Sequence, residues 1–406
     1  MAFIAASLGS SVPTHPLCRF GLLGLLALTA AMAGCGDDSG SGGSGGSGAG
    51  GSGAGPAEVQ GCEGTTLLES DADTSVAGPW PVGAKTLNIG GLVVEAWYPA
   101  KLGSEAGASA VQYDIREFLP PAEADKISEE DRPRQLCDCF ADLPVDDARG
   151  PYPVIVFVHG TAGFRSQSLE LVTHWASRGF VVLAADHPGL YLKDLLGGFC
   201  GSGPVDRDLD GDLAALVAAV KSGVGLGELG AVVDSARIGM SGHSAGGGAI
   251  EQQGAVAQVL IPMAAGGVTA GATLKSTLVF GAKEDQVVEF SAQQEGYAAS
   301  PAPKRLAGLS PAGHLAFASL CEIVNDAGED LVTIGKANQV CGLEFADALF
   351  DCDPSYVEAE RGWTIVNDLT SATFEETLHC QPSRAERLAG AMERYPEIAE
   401  YQEELQ

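Results

Sequence analysis

A serine set between two glycines is the residue of this chain best suited to covalent chemistry. The stretch GHSAG fits the pattern G-x-S-x-G, with Ser244 at its centre and His243 before it. Such a serine sits on a sharp turn from a strand to a helix, where its neighbours must lack bulky side chains. Gly242 and Gly246 supply that space. The pattern therefore predicts a nucleophile elbow that presents one hydroxyl at the edge of a sheet.

A chance match is the alternative interpretation, because the chain contains 55 glycines. The flanking sequence favours the functional interpretation. The apolar run from Ala236 to Gly242 predicts a strand, and a helix is expected to begin near Ala245. A strand before the motif and a helix after it form the context in which G-x-S-x-G acts as an elbow.

A serine hydroxyl needs a base to remove its proton, and an acid must orient that base. In chains with this motif the partners follow in the order serine, acid, histidine. Downstream of Ser244 the sequence contains two histidines, His314 and His379. We favour His314, because it follows a short strand-like run and a turn, which predicts a loop at the sheet edge. His379 ends a helical stretch and is expected to be a surface or helix-end residue.

The acid is expected just past the preceding strand, where Glu284 and Asp285 are adjacent. Asp285 is preferred, since its spacing of 29 residues from His314 leaves room for one helix and one strand. Glu284 is expected to face solvent. The interpretation assigns Asp285 to hold the imidazole tautomer and to stabilise the imidazolium.

Two backbone N–H groups are needed to stabilise the negative oxygen of a tetrahedral intermediate. One is expected from Ala245, directly after the nucleophile. The other is expected from Thr161, on the loop after the apolar run ending in VIVFVHG. His159 and His187 also end predicted strands, and we expect both to be structural.

The elements that must position these residues alternate between buried strands and amphipathic helices. This alternation predicts an α/β fold with a mostly parallel central sheet flanked by helices on both faces. Reactive groups then gather at the carboxyl ends of the strands. The predicted strands are 91–100, 152–160, 180–189, 236–242, 259–265 and 276–282, and the predicted helices include 169–179 and 207–223.

The N-terminal region predicts export. Arg19 precedes a short apolar run that ends before Cys35, which indicates a lipoprotein-type signal over residues 1–35 with Cys35 as the lipidated residue. An ordinary secretory signal is the alternative. Residues 36–60 form a Gly/Ser-rich tether, and 61–406 are expected to be one catalytic domain. We therefore expect a membrane-tethered protein in the bacterial periplasm or at the cell surface.

The net charge of −30 argues against nucleic acid or an anionic lipid surface as an electrostatically held partner. Membrane contact is expected only through the N-terminal lipid, and we expect a monomer. Eight cysteines remain after Cys18 and Cys35, and in an exported chain they predict disulfides. The two in CDCF, Cys137 and Cys139, are expected to bond to distant partners. A metal site is the competing interpretation, but the familiar Cys/His zinc spacings are lacking.

Several stretches resemble the α/β-hydrolase family of platelet-activating-factor acetylhydrolases and dienelactone-hydrolase-like esterases. They occur in the family's order from Thr74 to Cys321, and the late stretch IVNDLTSATFEETL is similar to the family's closing helix. Bacterial polyester hydrolases and cutinase-like esterases share the same core. The quoted stretches are VEAWYPA, YDIREFLP, FVHGTAGFRSQS, WASRGFVVLAADHPG, SGHSAGGGA and AGHLAFASLC.

The resemblance implies Ser244, Asp285 and His314 as the triad, Thr161 and Ala245 as oxyanion donors, and ester hydrolysis without metal or cofactor. The expected substrates are short-acyl or phospholipid-type esters. Dienelactone hydrolases proper use a cysteine nucleophile, so the serine argues against dienelactone chemistry. Residues 115–148 are interpreted as a cap and 322–361 as a cysteine-containing insertion.

The sequence is also compatible with two other functions. One is an extracellular polyester hydrolase, which needs an open cleft with exposed aromatic side chains. The other is a catalytically idle surface-binding lipoprotein, because a fold alone does not prove activity. The presence of all three triad residues argues against the idle protein.

Overall fold

Apolar runs and amphipathic helices alternate along the chain, and in the computed structural model they assemble around a central sheet of eleven strands. The structure describes residues 65–343 and 350–406. The expected signal segment, the tether, Cys35 and Cys62 lie outside the described residues. Within those residues, no helix is both long and apolar enough to cross a membrane.

The strands lie side by side in the order β11-β10-β9-β8-β7-β5-β6-β2-β1-β4-β3. Their bounds are β1 Val82–Ile89, β2 Leu92–Pro99, β3 Ala110–Asp114, β4 Arg134–Ala141, β5 Tyr152–Val158, β6 Val181–Ala185, β7 Val233–His243, β8 Val259–Met263, β9 Ser276–Ala282, β10 Lys304–Leu309 and β11 Ile398–Glu404.

The helices connect these strands and cover the sheet. Their bounds are α1 Pro121–Ala124, α2 Leu169–Ser177, α3 Leu192–Phe199, α4 Leu209–Ser222, α5 Ala245–Ala249, α6 Phe290–Ala299, α7 Leu331–Ala337, α8 Ala359–Leu378, α9 Arg384–Ala389 and α10 Ala391–Arg394.

Six neighbouring strands, β6-β5-β7-β8-β9-β10, run parallel to one another. Antiparallel pairs extend this core, β2 beside β6 on one side and β11 beside β10 on the other. Each face of the sheet carries its own apolar cluster, one containing α2 and α8 and the other containing α4. The predicted fold class is confirmed: the chain has the α/β-hydrolase fold.

Burial explains which strands the sequence predicted. Every residue of β5 is buried, so a continuous apolar run was required there. In β1, by contrast, only Ala84 and Ile89 of the stretch AKTLNI are buried, and the four residues between them alternate between partly exposed and exposed. In β4 buried and exposed residues alternate, and Arg134–Ala141, which was interpreted as part of a cap, joins the sheet instead.

Three disulfides join described cysteines. Cys200 bonds to Cys341, and Cys321 bonds to Cys352. The expectation of distant partners for the CDCF pair is wrong, because Cys137 and Cys139 bond to each other. Both of these side chains point to the buried face of β4, where two residues that are two apart lie on the same side of a strand.

Two smaller apolar clusters, against both of which Leu192 packs, lie outside the two faces of the sheet, and together we call them the side cluster. It is built from residues 115–127, α3 and the segment around α7, with Phe118, Leu196 and Ile334 among its buried members. Phe164, from the loop after β5, packs into the same cluster. The Cys200–Cys341 disulfide joins the end of α3 to the chain after α7.

Candidate active site

Ser244 lies between the end of β7 and the start of α5, with backbone angles φ 54° and ψ −119°. A non-glycine residue rarely adopts such a conformation, and it persists only where its surroundings enforce it. A Cβ on Gly242 would lie 2.3 Å from the Gly246 carbonyl oxygen, and one on Gly246 would lie 2.1 Å from that of Val158. Larger residues at these two positions are therefore excluded, and the turn is a nucleophile elbow.

Backbone hydrogen bonds hold the serine in this conformation. Its N–H donates to the Met263 carbonyl at the end of β8, at 2.9 Å. Its carbonyl oxygen accepts from the Gly248 N–H within α5, at 3.0 Å. The backbone of Ser244 is thus fixed by the sheet on one side and by the helix on the other.

His314 and Asp285 form a buried pair. The ring Nδ1–H of His314 donates to Oδ2 of Asp285 at 2.8 Å, and each residue is less than 5% exposed. The other carboxylate oxygen, Oδ1, accepts from the backbone N–H groups of Val287 and Val288, both at 2.8 Å. Because Nδ1 carries the donated proton, Nε2 is left as the ring atom that can accept a proton.

Among the described residues, no hydrogen bond joins the Ser244 hydroxyl to the His314 ring. The neighbouring residue links them instead, because Nε2–H of His243 donates to the His314 carbonyl oxygen at 2.9 Å. The two histidine rings lie 4.8 Å apart between centroids. Hydrogen bonds between a nucleophile and its base are often long until substrate is bound, so this arrangement is compatible with proton transfer.

Gln167 completes the link to the loop after β5. Its Nε2 donates to Nδ1 of His243 at 3.0 Å, and its Oε1 accepts from the Gly160 N–H at 3.0 Å. Burial, and then the charge of the nearby His314, lower the pKa of His243 to about 3. His243 therefore stays neutral, with Nδ1 accepting and Nε2 donating. Sequence reasoning missed Gln167, because its role depends on a partner 76 residues away.

The loop after β5 lies directly against the nucleophile. A Cβ on Gly160 would lie 3.3 Å from the Ser244 Cβ. The backbone N–H of Thr161, the next residue, forms no hydrogen bond within the part of the chain that the structure describes. Ala245 is the first residue of α5, so its N–H has no partner within the helix. Thr161 follows Gly160 and Ala245 follows Ser244, so two N–H groups without a hydrogen-bond partner among the described residues flank the nucleophile in the chain.

Arg165 braces this loop from behind. Its backbone N–H donates to Oδ1 of Asp186 at 2.8 Å, and its guanidinium Nη1 lies 2.5 Å from Oδ2 of the same residue. The guanidinium also lies over the ring of Phe118, 4.7 Å from the ring centroid. The loop that carries Thr161 is therefore tied both to the end of β6 and to the side cluster.

Glu284 holds the loop on which His314 lies, and the expectation that it faces solvent is wrong. It is half-buried, and its carboxylate accepts from the Ser310 hydroxyl at 2.8 Å and from the Ala312 N–H at 2.7 Å. The two adjacent acids thus make separate contacts, Asp285 with the imidazole ring and Glu284 with the backbone that carries it.

The remaining candidate histidines take structural positions. His379 follows α8 and stacks on Phe180 with ring centroids 4.1 Å apart, at the amino end of β6 rather than at the carboxyl end where the elbow lies. His159 donates from Nδ1 to the Gly160 carbonyl at 2.8 Å and accepts at Nε2 from the His187 N–H at 3.2 Å. Neither contributes a proton acceptor at Ser244.

A cavity of about 440 Å³ opens beside the elbow. Ala245, Gly248 and Gln252 line one side, and Arg207 and Asp208 line the other. A substrate carbonyl placed between Ser244 and the two N–H groups would therefore have room for an attached group beyond α5.

Comparison with known proteins finds one similar family. The family model of platelet-activating factor acetylhydrolase, isoform II, matches residues 135–189. The match runs from β4 to the residues just after β6, so it contains Thr161 and ends before Ser244. No curated protein matches the sequence.

Proposed function

We propose that this chain, whose residues 135–189 match the platelet-activating-factor acetylhydrolase family model, is a serine esterase of that α/β-hydrolase type with Ser244, His314 and Asp285 as its triad. The family implies hydrolase activity of the esterase type. The observation that carries the proposal is the buried Asp285–His314 pair, whose histidine is bonded through its backbone to the residue next to Ser244.

The reaction begins when the Ser244 oxygen attacks the ester carbonyl and His314 Nε2 takes the hydroxyl proton. The carbonyl oxygen becomes negative and accepts hydrogen bonds from the Thr161 and Ala245 N–H groups. The imidazolium then gives its proton to the departing alcohol, which leaves an acyl group on Ser244. Water repeats the attack, with His314 again as the base, and the acid is released.

Throughout the cycle Asp285 keeps the proton on Nδ1 of His314 and faces the positive charge that forms on the ring. Two backbone N–H groups donate to its carboxylate, so the negative charge is stabilised by hydrogen bonds before the reaction starts. Such prior organisation is the largest contribution to catalysis in sites of this kind.

Short-acyl or phospholipid-type esters are the substrates we propose. The cavity beside Ala245 has the size for a small substituent. The side cluster packs against the loop that carries Thr161, and we propose that residues 115–127, α3 and α7 act as a cap that limits the acyl group.

A polyester film is a weaker candidate substrate. An open cleft for a polymer needs exposed aromatic side chains, yet Phe164, on the loop that carries Thr161, is buried. Phe199 on α3 is the exception, with 62% of its surface exposed. Release of soluble monomers from a film would reverse this preference.

The test is replacement of the nucleophile. Ser244→Ala is expected to abolish hydrolysis of p-nitrophenyl acetate and labelling by a fluorophosphonate probe, whereas Ser291→Ala, at an exposed position on α6, is expected to change neither. Turnover and labelling that persist in Ser244→Ala would refute the proposal. Absence of both in the wild-type chain would favour the idle binding protein.

We also propose that the chain is exported and lipidated at Cys35. The sequence of residues 1–60 supports this, together with the disulfides of the catalytic domain. Metabolic labelling with a radioactive fatty acid is expected to mark the wild-type chain and not Cys35→Ala.

A further inference from the structure

The cysteine-containing insertion reaches the back of the proposed catalytic histidine. Oδ2 of Asp351 accepts a hydrogen bond from the backbone N–H of His314, at 3.0 Å. Oδ1 of the same carboxylate accepts from the Tyr356 hydroxyl, also at 3.0 Å. Asp351 is thus oriented by Tyr356, from its own segment, and holds a peptide group of the histidine loop.

The loop that carries His314 has a glycine, Gly313, at the position where this close approach requires one. A Cβ on Gly313 would lie 2.0 Å from Oδ2 of Asp351 and 2.5 Å from a ring atom of Tyr356. Any side chain at position 313 would therefore push the carboxylate away from the His314 N–H.

Two further links hold the insertion against the loop. Cys352, next to Asp351, is disulfide-bonded to Cys321, which follows the histidine in the same loop. The Val357 N–H donates to the Pro311 carbonyl at 2.8 Å, on the other side of the histidine. The position of Asp351 relative to His314 is therefore fixed by a covalent bond and by a backbone hydrogen bond.

We propose that Asp351 is a positioning residue that sets the place of the His314 imidazole through the backbone; this role rests on the proposed esterase function. Both peptide groups of His314 are held, the N–H by Asp351 and the carbonyl by His243. Asp285 then fixes only the rotation of the ring. A displacement of about 1 Å at a reacting group can cost about 100-fold in rate, so loss of one anchor is expected to be visible in kcat.

The role requires a hydrogen-bond acceptor at this position and does not require a charge. The hydrogen bond of Asp351 goes to the backbone of His314, and the ring Nδ1 is bonded to Asp285. A side-chain amide of the same shape presents an oxygen to the same N–H, so an asparagine is expected to work nearly as well.

The experiment compares Asp351→Ala with Asp351→Asn, with Asp353→Ala as the matched control. Asp353 lies two residues away, and its carboxylate accepts from the Ser355 N–H in its own turn, at 2.8 Å. On p-nitrophenyl acetate, Asp351→Ala is expected to lower kcat by about 10- to 100-fold with KM within about threefold. Fluorophosphonate labelling of Ser244 is expected to slow in parallel. Asp351→Asn and Asp353→Ala are expected to stay within about threefold of wild type.

A second variant covers the case in which Asp351→Ala does not fold. Tyr356→Phe removes only the hydroxyl that orients the carboxylate, and it is expected to lower kcat by about three- to tenfold at unchanged KM. A wild-type kcat in Asp351→Ala, or in Tyr356→Phe where Asp351→Ala is unfolded, would overturn the proposal while leaving the esterase intact. An equal loss in Asp351→Ala and Asp351→Asn would also overturn it, since charge would then be the cause. If the wild-type chain hydrolyses no ester, the proposed function itself fails, which is a separate result.

Discussion

His243 holds His314 by its main chain: Nε2 of the first lies 2.9 Å from the carbonyl oxygen of the second. The other ring nitrogen of His243 accepts from Gln167, which also accepts from Gly160. The elbow, the loop that carries Thr161 and the loop that carries His314 are thereby joined in one chain of hydrogen bonds. Catalysis is therefore expected to be sensitive to residues that contact no substrate.

The first prediction concerns this chain of hydrogen bonds. Gln167→Ala leaves both the Gly160 N–H and Nδ1 of His243 without a partner in a buried site, and we expect kcat to fall by about 10-fold. His243→Ala is expected to have a similar effect. Because the two residues act through each other, the double variant is expected to lose much less than the product of the single losses. Losses that simply multiply in steady-state kinetics would show that the residues act independently.

The second prediction separates the two adjacent acids. Asp285→Asn is expected to lower kcat by about 10³- to 10⁴-fold, because an amide favours the wrong imidazole tautomer and does not stabilise the imidazolium. Glu284→Gln still offers an oxygen to the histidine loop, and its loss is expected to stay within about 10-fold. The measurement is the kcat of both variants and of the wild type on the same ester. The opposite ranking would assign the catalytic acid to Glu284.

The third prediction concerns the backbone donor at Thr161. Thr161→Ala keeps the N–H and is expected to retain activity within about threefold. Thr161→Pro removes that N–H, and removal of one such donor costs about 10²- to 10³-fold in kcat. A melting temperature close to that of the wild type would show that the proline variant is folded. Full activity in a folded Thr161→Pro would place the second donor elsewhere.

The fourth prediction is a pH dependence of stability away from the site. Burial, and then the charge of Arg178, lower the pKa of His174 to about 4, while its Nε2–H donates to the Thr74 carbonyl at 2.9 Å. Between a pH of about 6.5 and 4, His174 therefore stays neutral in the folded chain, whereas it is protonated in the unfolded chain. Stability is lost as the pH falls from about 6.5 towards 4, at up to about 1.4 kcal/mol per pH unit from this one group.

His174→Gln keeps a side-chain N–H donor and removes the titration. Its free energy of unfolding, measured by urea denaturation, is expected to decline less steeply than that of the wild type between pH 6.5 and 4. Above pH 7 the difference between the two proteins is expected to be constant. Parallel pH profiles over the whole range would contradict the shifted pKa of His174.

Sequence patterns predicted the part of the fold that local physical chemistry determines. A strand buried on both faces must be apolar throughout, so Tyr152–Val158 and Ser276–Ala282 could be recognised. The turn at Ser244 could be recognised because glycine alone tolerates the close approach at positions 242 and 246. Strands at the rim of the sheet, such as Val82–Ile89 and Ile398–Glu404, are partly exposed and give a weaker pattern.

The contacts that position the site could not be predicted, because they join residues far apart in sequence. Gln167 meets His243 across 76 residues, and Asp351 meets His314 across 37. In the sequence, Asp351 and Gln167 cannot be distinguished from ordinary polar residues on surface loops, because their partners become neighbours only in the folded chain. The same reason explains Glu284, whose contacts lie 26 and 28 residues further along the chain.

The disulfide between Cys321 and Cys352 joins two residues that are 31 positions apart, and the first of them follows the proposed base in the same loop. Where thiols are kept reduced, this closure is absent and the insertion keeps only non-covalent contacts with the histidine loop. If the chain is the exported esterase that we propose, it would then reach full activity only in an oxidising compartment. The cell that makes it would be protected from that activity until export is complete.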